Sequence, residues 1–341
     1  MQIPIRTIAS TKAEMPIIGV GTFGSDHITS DEMAEAVRTA LRVGYRNIDC
    51  ASVYGNEKEI GTVLKTSGIK REELWITSKV WNDSHGKKKV IESAKQSLMD
   101  LQLDYLDLYL VHWPFPNYHP PYCDVTSRSP DARPYIHEQF METWFAMEEL
   151  VRMGLVKHIG TSNMSKAKLS LLLGSCSIRP TATEMELHPC FQQPELLSYI
   201  KEEGIIPIGY SPLGSPNRPE RDTTPEDVID MRHPIVVELA QRHNCHPAAI
   251  CLKWAQANGI VPIPLSTKER NLKSNLESIL TDPLTEDEIG MLRKADCNNR
   301  LIKGQVFLWE EAESWHDLWD EDGTIHCPAR YKKGENSWKN E

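Results

Sequence analysis

Short apolar runs alternate along the chain with longer segments whose apolar residues recur at steps of three and four. In "SDEMAEAVRTALRVG", Met33, Val37 and Leu41 fall on one face, Ser30 can cap, Asp31 and Glu32 occupy the first turn, and Gly44 stops the pattern; this predicts a helix. Ile91, Ala94, Leu98 and Leu101 repeat the spacing, as do Phe140, Trp144, Met147 and Val151 ahead of Gly154. Such stripes must cover something. Between them lie eight strand-like runs: "IIGVGTF", "RNIDCA", "LWITSKV", "LDLYLVHW", "KHIGTSN", "TATEMEL", "IPIGYSP" and "VPIPLS". Eight strands with helical crossovers and no break in composition predict an α/β architecture: a single closed (β/α)8 barrel of the TIM type over residues 1–341. An open doubly wound sheet has the same right-handed crossovers, so the count of eight separates the two.

Seven of the eight runs turn polar at their C-terminal ends, giving Asp49, Lys79, His112, Ser162 with Asn163, Glu184 with Glu186, Tyr210 with Ser211, and Ser266. In an α/β barrel these ends open on one face, where barrel enzymes keep their active sites. One charged strand end is ordinarily just solvated. So many coincidences argue for a site. Two long proline-rich insertions, 113–137 and 211–233, follow strand ends on that face and read as substrate-side walls. A tail from about Arg300 to residue 341 carries Trp309, Trp315 and Trp319 among acids and is expected to fold over the barrel mouth.

Composition narrows the function. The 341 residues are 40% hydrophobic and 25% charged, ordinary for a globular chain. A formal charge of −10 argues against nucleic acid as partner, and Lys87, Lys88 and Lys89 read as a solvated first helical turn. Cysteines 50, 123, 176, 190, 245, 251, 297 and 327 lack CxxC pairing and are expected as reduced thiols. No segment approaches the roughly 20 apolar residues that span a bilayer. These features predict a cytoplasmic protein without a membrane partner. Among the 12 histidines no HxxxH or HExxH pattern occurs, and His243 and His246 are expected to face solvent from an outer helix, so no metal is expected.

The proton-handling groups at the strand ends are Asp49, Tyr54, Lys79 and His112. A tyrosine, with an ordinary pKa of about 10, gives up a proton poorly at neutral pH unless a neighbouring cation favours its ionised form. Lys79 can be that cation, Asp49 can hold the ammonium, and a neutral imidazole at His112 can donate to a carbonyl oxygen. The combination suits protonating a carbonyl while its carbon receives a nucleophile. Taken singly, each has a plain alternative: an ion pair locking two strands, an aromatic rim residue, a satisfied core histidine.

The chain resembles the aldo-keto reductase superfamily through "MPIIGVGTF", "IDCASVYGNEKEIG", "ITSKVW", "YLDLYLVHWP", "GLVKHIGTSNMS", "HPCFQQPELLSYIKEEGIIPIGYSPLG" and "PIPLSTKERNLKSNL", in family order over about residues 3 to 300. The resemblance implies a barrel that binds NAD(P)H without a Rossmann fold and transfers hydride from the nicotinamide C4 to an aldehyde or ketone, a sugar or related polar carbonyl among the candidates. It implies Tyr54 as general acid, Lys79 and Asp49 as its tuning pair, and His112 as the group orienting the carbonyl. Tyr54, His112, Trp113 and Trp309 would meet the substrate, and Asn56 with Glu57 would start the next helix in a capping role. Thr22, Asp49, Ser162 and Asn163 match positions near the nicotinamide, and Tyr210 matches the ring stacked on it. Ser211, Leu213 and Ser215 belong to the loop around the pyrophosphate, and Ser266, Lys268, Arg270, Asn271 and Asn275 to the adenosine end. Glu184 stands where the family usually has glutamine under the carboxamide, and Thr183 replaces a common asparagine.

Members that strongly prefer NADPH commonly carry a lysine and an arginine where this chain has Leu265 and Asn271. Both NADPH and NADH are therefore expected to serve, NADPH modestly favoured through Lys268 and Arg270. The protein is expected as a monomer or weak dimer. Two other functions compete: a nucleotide-binding redox-sensing accessory subunit with little turnover, and a barrel lyase forming a Schiff base on Lys79. The Asp49 partner disfavours the latter, because a held ammonium is a poor nucleophile.

Overall fold

The computed structural model describes residues 4–8, 12–24, 27–117, 129–216, 218, 223–328 and 331. Parts of both insertions (118–128 with Cys123, 217, and 219–222) and of the tail (329–330 and 332–341) lie outside the described residues.

The chain begins with an antiparallel hairpin of β1 (Ile5–Thr7) and β2 (Glu14–Pro16). Eight parallel strands then follow one another around a single sheet: β3 (Val20–Gly21), β4 (Asn47–Asp49), β5 (Trp75–Val80), β6 (Leu106–Val111), β7 (Val156–Ser162), β8 (Ala182–Glu186), β9 (Ile206–Tyr210) and β10 (Val261–Pro262). The ring closes where Gly19 N donates to Pro262 O at 3.0 Å and Gly21 N to Pro264 O at 3.2 Å. Every expected run overlaps one of these strands, and the fold is a (β/α)8 barrel.

The crossovers carry α1 (Ser30–Val43), α2 (Glu57–Thr66), α3 (Lys87–Leu101), α4 (His137–Arg152), α5 (Lys166–Ser175), α6 (Pro194–Glu202), α7 (Pro234–Arg242) and α8 (Pro247–Ala257). After β10 come α9 (Glu269–Ser278), α10 (Glu286–Arg293) and, in the tail, the single turn α11 (His316–Trp319). The predicted stripe of α1 is buried at Met33, Val37 and Leu41, and those of α3 and α4 at Ala94, Leu98, Phe140, Trp144 and Met147. Ile91 and Val151 are only half-buried at the stripe edges. The cap of α1 is Thr29 rather than Ser30: its hydroxyl accepts from Glu32 N and the Glu32 carboxylate accepts from Thr29 N, a reciprocal capping box. His243 departs from the expected solvent-facing position, since its ring bridges Asp282 at 2.5 Å and Glu288 at 3.0 Å. His246 is exposed and caps α8 by accepting from Ala248 N.

The pleat sends alternate side chains into the lumen. Trp75, Leu108, Leu110, Ala182, Ile206, Ile208, Val261 and Ile263 fill its lower layers together with Ile8 and Met15 from the hairpin region. The intervening residues, such as Ile76, Tyr109, Val111 and Met185, face the helices in the outer core. The inward series continues upward as Lys79 on β5, Glu184 and Glu186 on β8, Tyr210 on β9, and His112 just past β6. An apolar plug below and a polar ring above follow from one alternation.

No described helix is long and apolar enough to cross a membrane. Seven described cysteines carry free thiols.

Candidate active site

At the top of the lumen Lys79 is fully buried, an expensive place for an ammonium without partners. It has three. Lys79 Nζ donates to Asp49 Oδ2 at 2.5 Å and to the Cys50 carbonyl at 3.0 Å, and lies 3.4 Å from Glu184 Oε1. Burial opposes its charge, but Asp49 and Glu184 outweigh it and raise its pKa well above the ordinary lysine value. Burial also pushes Glu184 far up, with Asp49 adding to the effect, whereas Lys79 pulls against the rise at Asp49.

After β4 the chain makes one 3-10 turn, Ser52–Tyr54, ended by Gly55 in the left-handed region. Ser52 Oγ ties this turn to the Lys79 carbonyl at 3.1 Å. The Tyr54 ring is thereby set with its centroid 5.2 Å from Lys79 Nζ and 5.8 Å, edge to face, from the His112 ring. Burial raises the Tyr54 pKa, Lys79 lowers it, and Asp49 and Glu184 raise it. The phenol is held protonated: Lys79 alone does not bring it down, contrary to the simplest reading of a cation next to a tyrosine. His112 is the opposite case, kept neutral because burial and the Lys79 charge both depress its pKa.

A second polar group surrounds Asn163, which sits in the left-handed region at φ 57° just past β7. Its amide donates to the His112 carbonyl at 2.9 Å and to Ser162 Oγ at 3.2 Å, and its Oδ1 accepts from the Tyr210 hydroxyl at 2.7 Å. Thr22 is buried, and its hydroxyl donates to the Asp49 carbonyl at 2.8 Å. The loop beyond β9 carries Ser211, half-buried Leu213 and Ser215, and the two serine hydroxyls pair at 2.6 Å. Ser211, Gly214 and Ser215 are all left-handed, and a Cβ at Gly214 would lie 2.3 Å from Asp230 Oδ2, so that position admits only glycine. Further along the rim, Ser266 accepts from Lys268 N and from Asn271 Nδ2, Lys268 and Arg270 are exposed, and Asn275 is buried in α9.

Trp113 and Trp309 are 5% and 2% exposed, sealed in a cluster with Phe115, Phe307 and Trp319 that joins the first insertion to the tail. Asn117 stitches the same junction by donating to Phe307 O at 2.7 Å, and Gly304 is required there because a Cβ would press the Trp113 ring at 3.0 Å. The rings beside the proton-handling groups are Phe23, 5.1 Å from Tyr54, and Trp81, 5.0 Å from His112. Neither was singled out from sequence, although each follows a strand end on the polar face. Asn56 also differs from expectation: at the N-cap of α2 its side chain makes no cap bond and instead donates to the Thr22 carbonyl at 2.8 Å. Glu57 is buried and accepts from Ser78 and Ser97.

A model of the Aldo/keto reductase family matches residues 17–296. A curated aldo/keto reductase of Synechocystis sp. is 36% identical over 317 residues, which is 92% of this chain and 95% of that protein. Aldo-keto reductase family 1 member A1 of Rattus norvegicus is 40% identical over 302 residues, 86% of this chain and 89% of that protein. The crystal structure of a Bombyx mori aldo-keto reductase in complex with NADP superposes with a TM-score of 0.78 at 30% identity, covering 89% of this chain and 95% of that one. With a barrel and a polar mouth of this build, the chain belongs to the aldo/keto reductase family and is an oxidoreductase.

Proposed function

We propose that the protein reduces an aldehyde or ketone with NADPH or NADH, with Tyr54 as the proton donor. The observation that carries this is the convergence of Tyr54, Lys79, Asp49 and His112 at one end of the lumen. The donors around the mouth fit a nicotinamide nucleotide. Tyr210 offers a half-buried ring, the loop at Ser211, Leu213 and Ser215 turns its backbone through three left-handed residues, and Lys268 and Arg270 stand exposed where α9 begins. These match, in order, a flat ring, a pyrophosphate and an anionic or hydroxylated ribose. Thr22, Ser162, Asn163 and Glu184 would hold the ring, and Ser266, Asn271 and Asn275 the adenosine end. The nucleotide, when bound, supplies hydride from C4.

The chain's own residues handle the proton. As negative charge develops on the carbonyl oxygen, neutral His112 orients and polarises that oxygen. Tyr54 then gives up its O–H proton to the oxygen, and the phenolate left behind is supported by the Lys79 ammonium that Asp49 holds. Phe23 and Trp81 flank the place where the carbonyl would sit, while Trp113 and Trp309 brace that wall from behind. A Schiff base on Lys79 is disfavoured, because its nitrogen is bound by Asp49, Cys50 O and Glu184 and has no lone pair to give. Free thiols agree with a cytosolic setting.

The test is loss of NADPH or NADH absorbance with a panel of aldehydes and ketones, sugar aldehydes included. Turnover is the expected result. Nucleotide binding without turnover would favour the accessory-subunit reading, and borohydride trapping of a carbonyl on Lys79 would favour the lyase.

A further inference from the structure

Lys79 is one cation between two buried carboxyls. Asp49 and Glu184 are 3% and 2% exposed and reach the same Nζ from β4 and β8. Among the described residues, the charged or titratable groups that act on Glu184 are Asp49 from β4, Tyr54 from the following turn, Lys79 from β5, and Tyr210 from β9. His112, past β6, faces the same Lys79 charge and is neutral, while β7 contributes uncharged Ser162 opposite Glu184. Two further buried cations lie nearby and both have counter-charges away from Glu184: Arg300 stacks on Phe191 and Trp319 and is favoured by Glu186, and His188 is hydrogen-bonded to Glu186 and Asp230. Two ionised carboxylates would thus leave the site with an uncompensated buried negative charge.

Hydrogen bonding points the same way. The Asp49 and Glu184 carboxyls converge on one ammonium, at 2.5 Å and 3.4 Å from Lys79 Nζ, so only one of them is close enough for a strong charge-assisted bond. Asp49 already accepts from Lys79 at 2.5 Å. Glu184 Oε2 is buried and meets no hydrogen-bond donor, which is the situation of an oxygen that bears the proton itself.

We propose that Glu184 is a further positioning residue of the reduction: it stands in the lumen as a neutral carboxylic acid, and loss of its proton silences Tyr54. This rests on the reading of Tyr54 as proton donor. During the reaction the Tyr54 O–H bond breaks and its proton goes to the carbonyl oxygen, leaving a phenolate beside Lys79. A neutral Glu184 leaves the Asp49–Lys79 pair balanced and adds nothing against that phenolate. An ionised Glu184 sets a second negative charge against it, so proton donation fails at a pH where Tyr54 is itself still protonated. Glu184 keeps its own proton throughout turnover and influences the proton transfer only through the Lys79 cluster, beside its contact with the nicotinamide ring.

The experiment compares wild type with Glu184→Gln, which keeps the shape but cannot ionise. In wild type, kcat/KM for reduction is expected to fall about tenfold per pH unit above the ionisation of Glu184. In Glu184→Gln, normalised to its own plateau, that alkaline limb should move to higher pH, where Tyr54 or Lys79 takes over. Infrared spectra of the nucleotide-free protein give a second readout that needs no turnover. A protonated-carboxyl band should be present at neutral pH, shift on 13C labelling of glutamate, titrate with the midpoint of the kinetic limb, and lose one component in Glu184→Gln. Glu57, the other buried glutamate whose pKa burial raises, contributes equally to both proteins and cancels. If the variant does not fold, the titration of the labelled wild-type band decides. Superimposable pH profiles, or no protonated glutamate band that titrates in the alkaline range, would overturn the proposal. A band without any reductase activity would leave the neutral state of Glu184 standing and sink the proton-donor reading instead.

Discussion

Lys168 Nζ donates to Asp320 Oδ2 at 2.6 Å with both side chains at most 2% exposed, joining the first turn of α5 to the residue that ends α11. The same ammonium donates to the Leu318 carbonyl at 2.6 Å, and Ser165, the cap of α5, donates to Asp320. Because α5 follows β7, the tail is clamped to the polar face of the barrel, next to the wall that Trp113 and Trp309 brace. Removing one partner of a buried pair strands the other charge and costs about 3–5 kcal/mol. Asp320→Ala is therefore expected to free the tail for proteolysis under native conditions and to change relative rates among carbonyl substrates. Unaltered rate ratios with an intact tail would show that the clamp is dispensable.

Tyr54→Phe keeps the ring against Phe23 and His112 and removes only the transferable proton. Turnover is expected to drop about 10²–10⁴-fold while nucleotide affinity, followed by fluorescence quenching, stays within a few-fold. More than half the wild-type rate, with chemistry shown to be rate-limiting, would exclude Tyr54 as the acid.

His188 is held on both sides by acceptors, Asp230 at 2.9 Å from Nδ1 and Glu186 at 3.0 Å from Nε2, so both ring nitrogens donate and the ring is charged. Burial works against that charge, but the two hydrogen-bonded carboxylates outweigh it and lift the pKa from 6.5 to about 9. A folded pKa above the unfolded one gives stability that is complete below about pH 6.5 and disappears as the pH rises through about 9. The stake is on the order of 3 kcal/mol. Glu186 also accepts from Leu301 N and Ile302 N, and Asp230 packs against Gly214, so the tail and the loop past β9 should loosen together. Denaturant titrations of wild type and His188→Gln from pH 6 to 9.5 should converge towards the alkaline end. Parallel curves would refute a charged His188.

How much of this was legible in the sequence follows from what sets each feature. The eight strands were readable because a fully buried parallel strand is a short apolar run, and the polar mouth was readable because Asp49, Lys79, His112 and Glu184 break those runs at their ends. The hairpin was not. Its strands are three residues each, carry Arg6 and Glu14, and are held by distant contacts such as Arg6 to the Gly259 carbonyl at 2.6 Å. Thr29 and Ser30 are adjacent hydroxyls, serine the better cap by residue type, and only the chain direction into α1 makes Thr29 the cap. Asn56, at an apparent cap, is diverted to Thr22 by a barrel that local spacing does not reveal. The His188 clamp joins residues 42 apart at Asp230, and the clamp of the tail spans 152 from Lys168 to Asp320, beyond any local pattern.

Cofactor choice turns on the far end of the mouth. Leu265 packs half-buried against the outer core and offers no charge, and Asn271 is turned to Ser266 at 3.1 Å. Glu269 sits between the two remaining cations but is occupied by Arg42 and Lys273, each at 2.7 Å, and so leaves Lys268 and Arg270 exposed. Exposed cations on flexible stems attract a ribose 2′-phosphate without enclosing it, and solvent screens much of the gain. NADPH is therefore expected to be favoured over NADH by about tenfold in kcat/KM at one fixed carbonyl concentration, equivalent to roughly one charge contact of 1.4 kcal/mol. Lys268→Ala combined with Arg270→Ala should bring the ratio close to unity by weakening NADPH while leaving the NADH parameters in place. A wild-type preference above about a thousandfold would mean that these two side chains enclose the phosphate as fully as a dedicated pair, and the weight placed on Leu265 and Asn271 would be wrong.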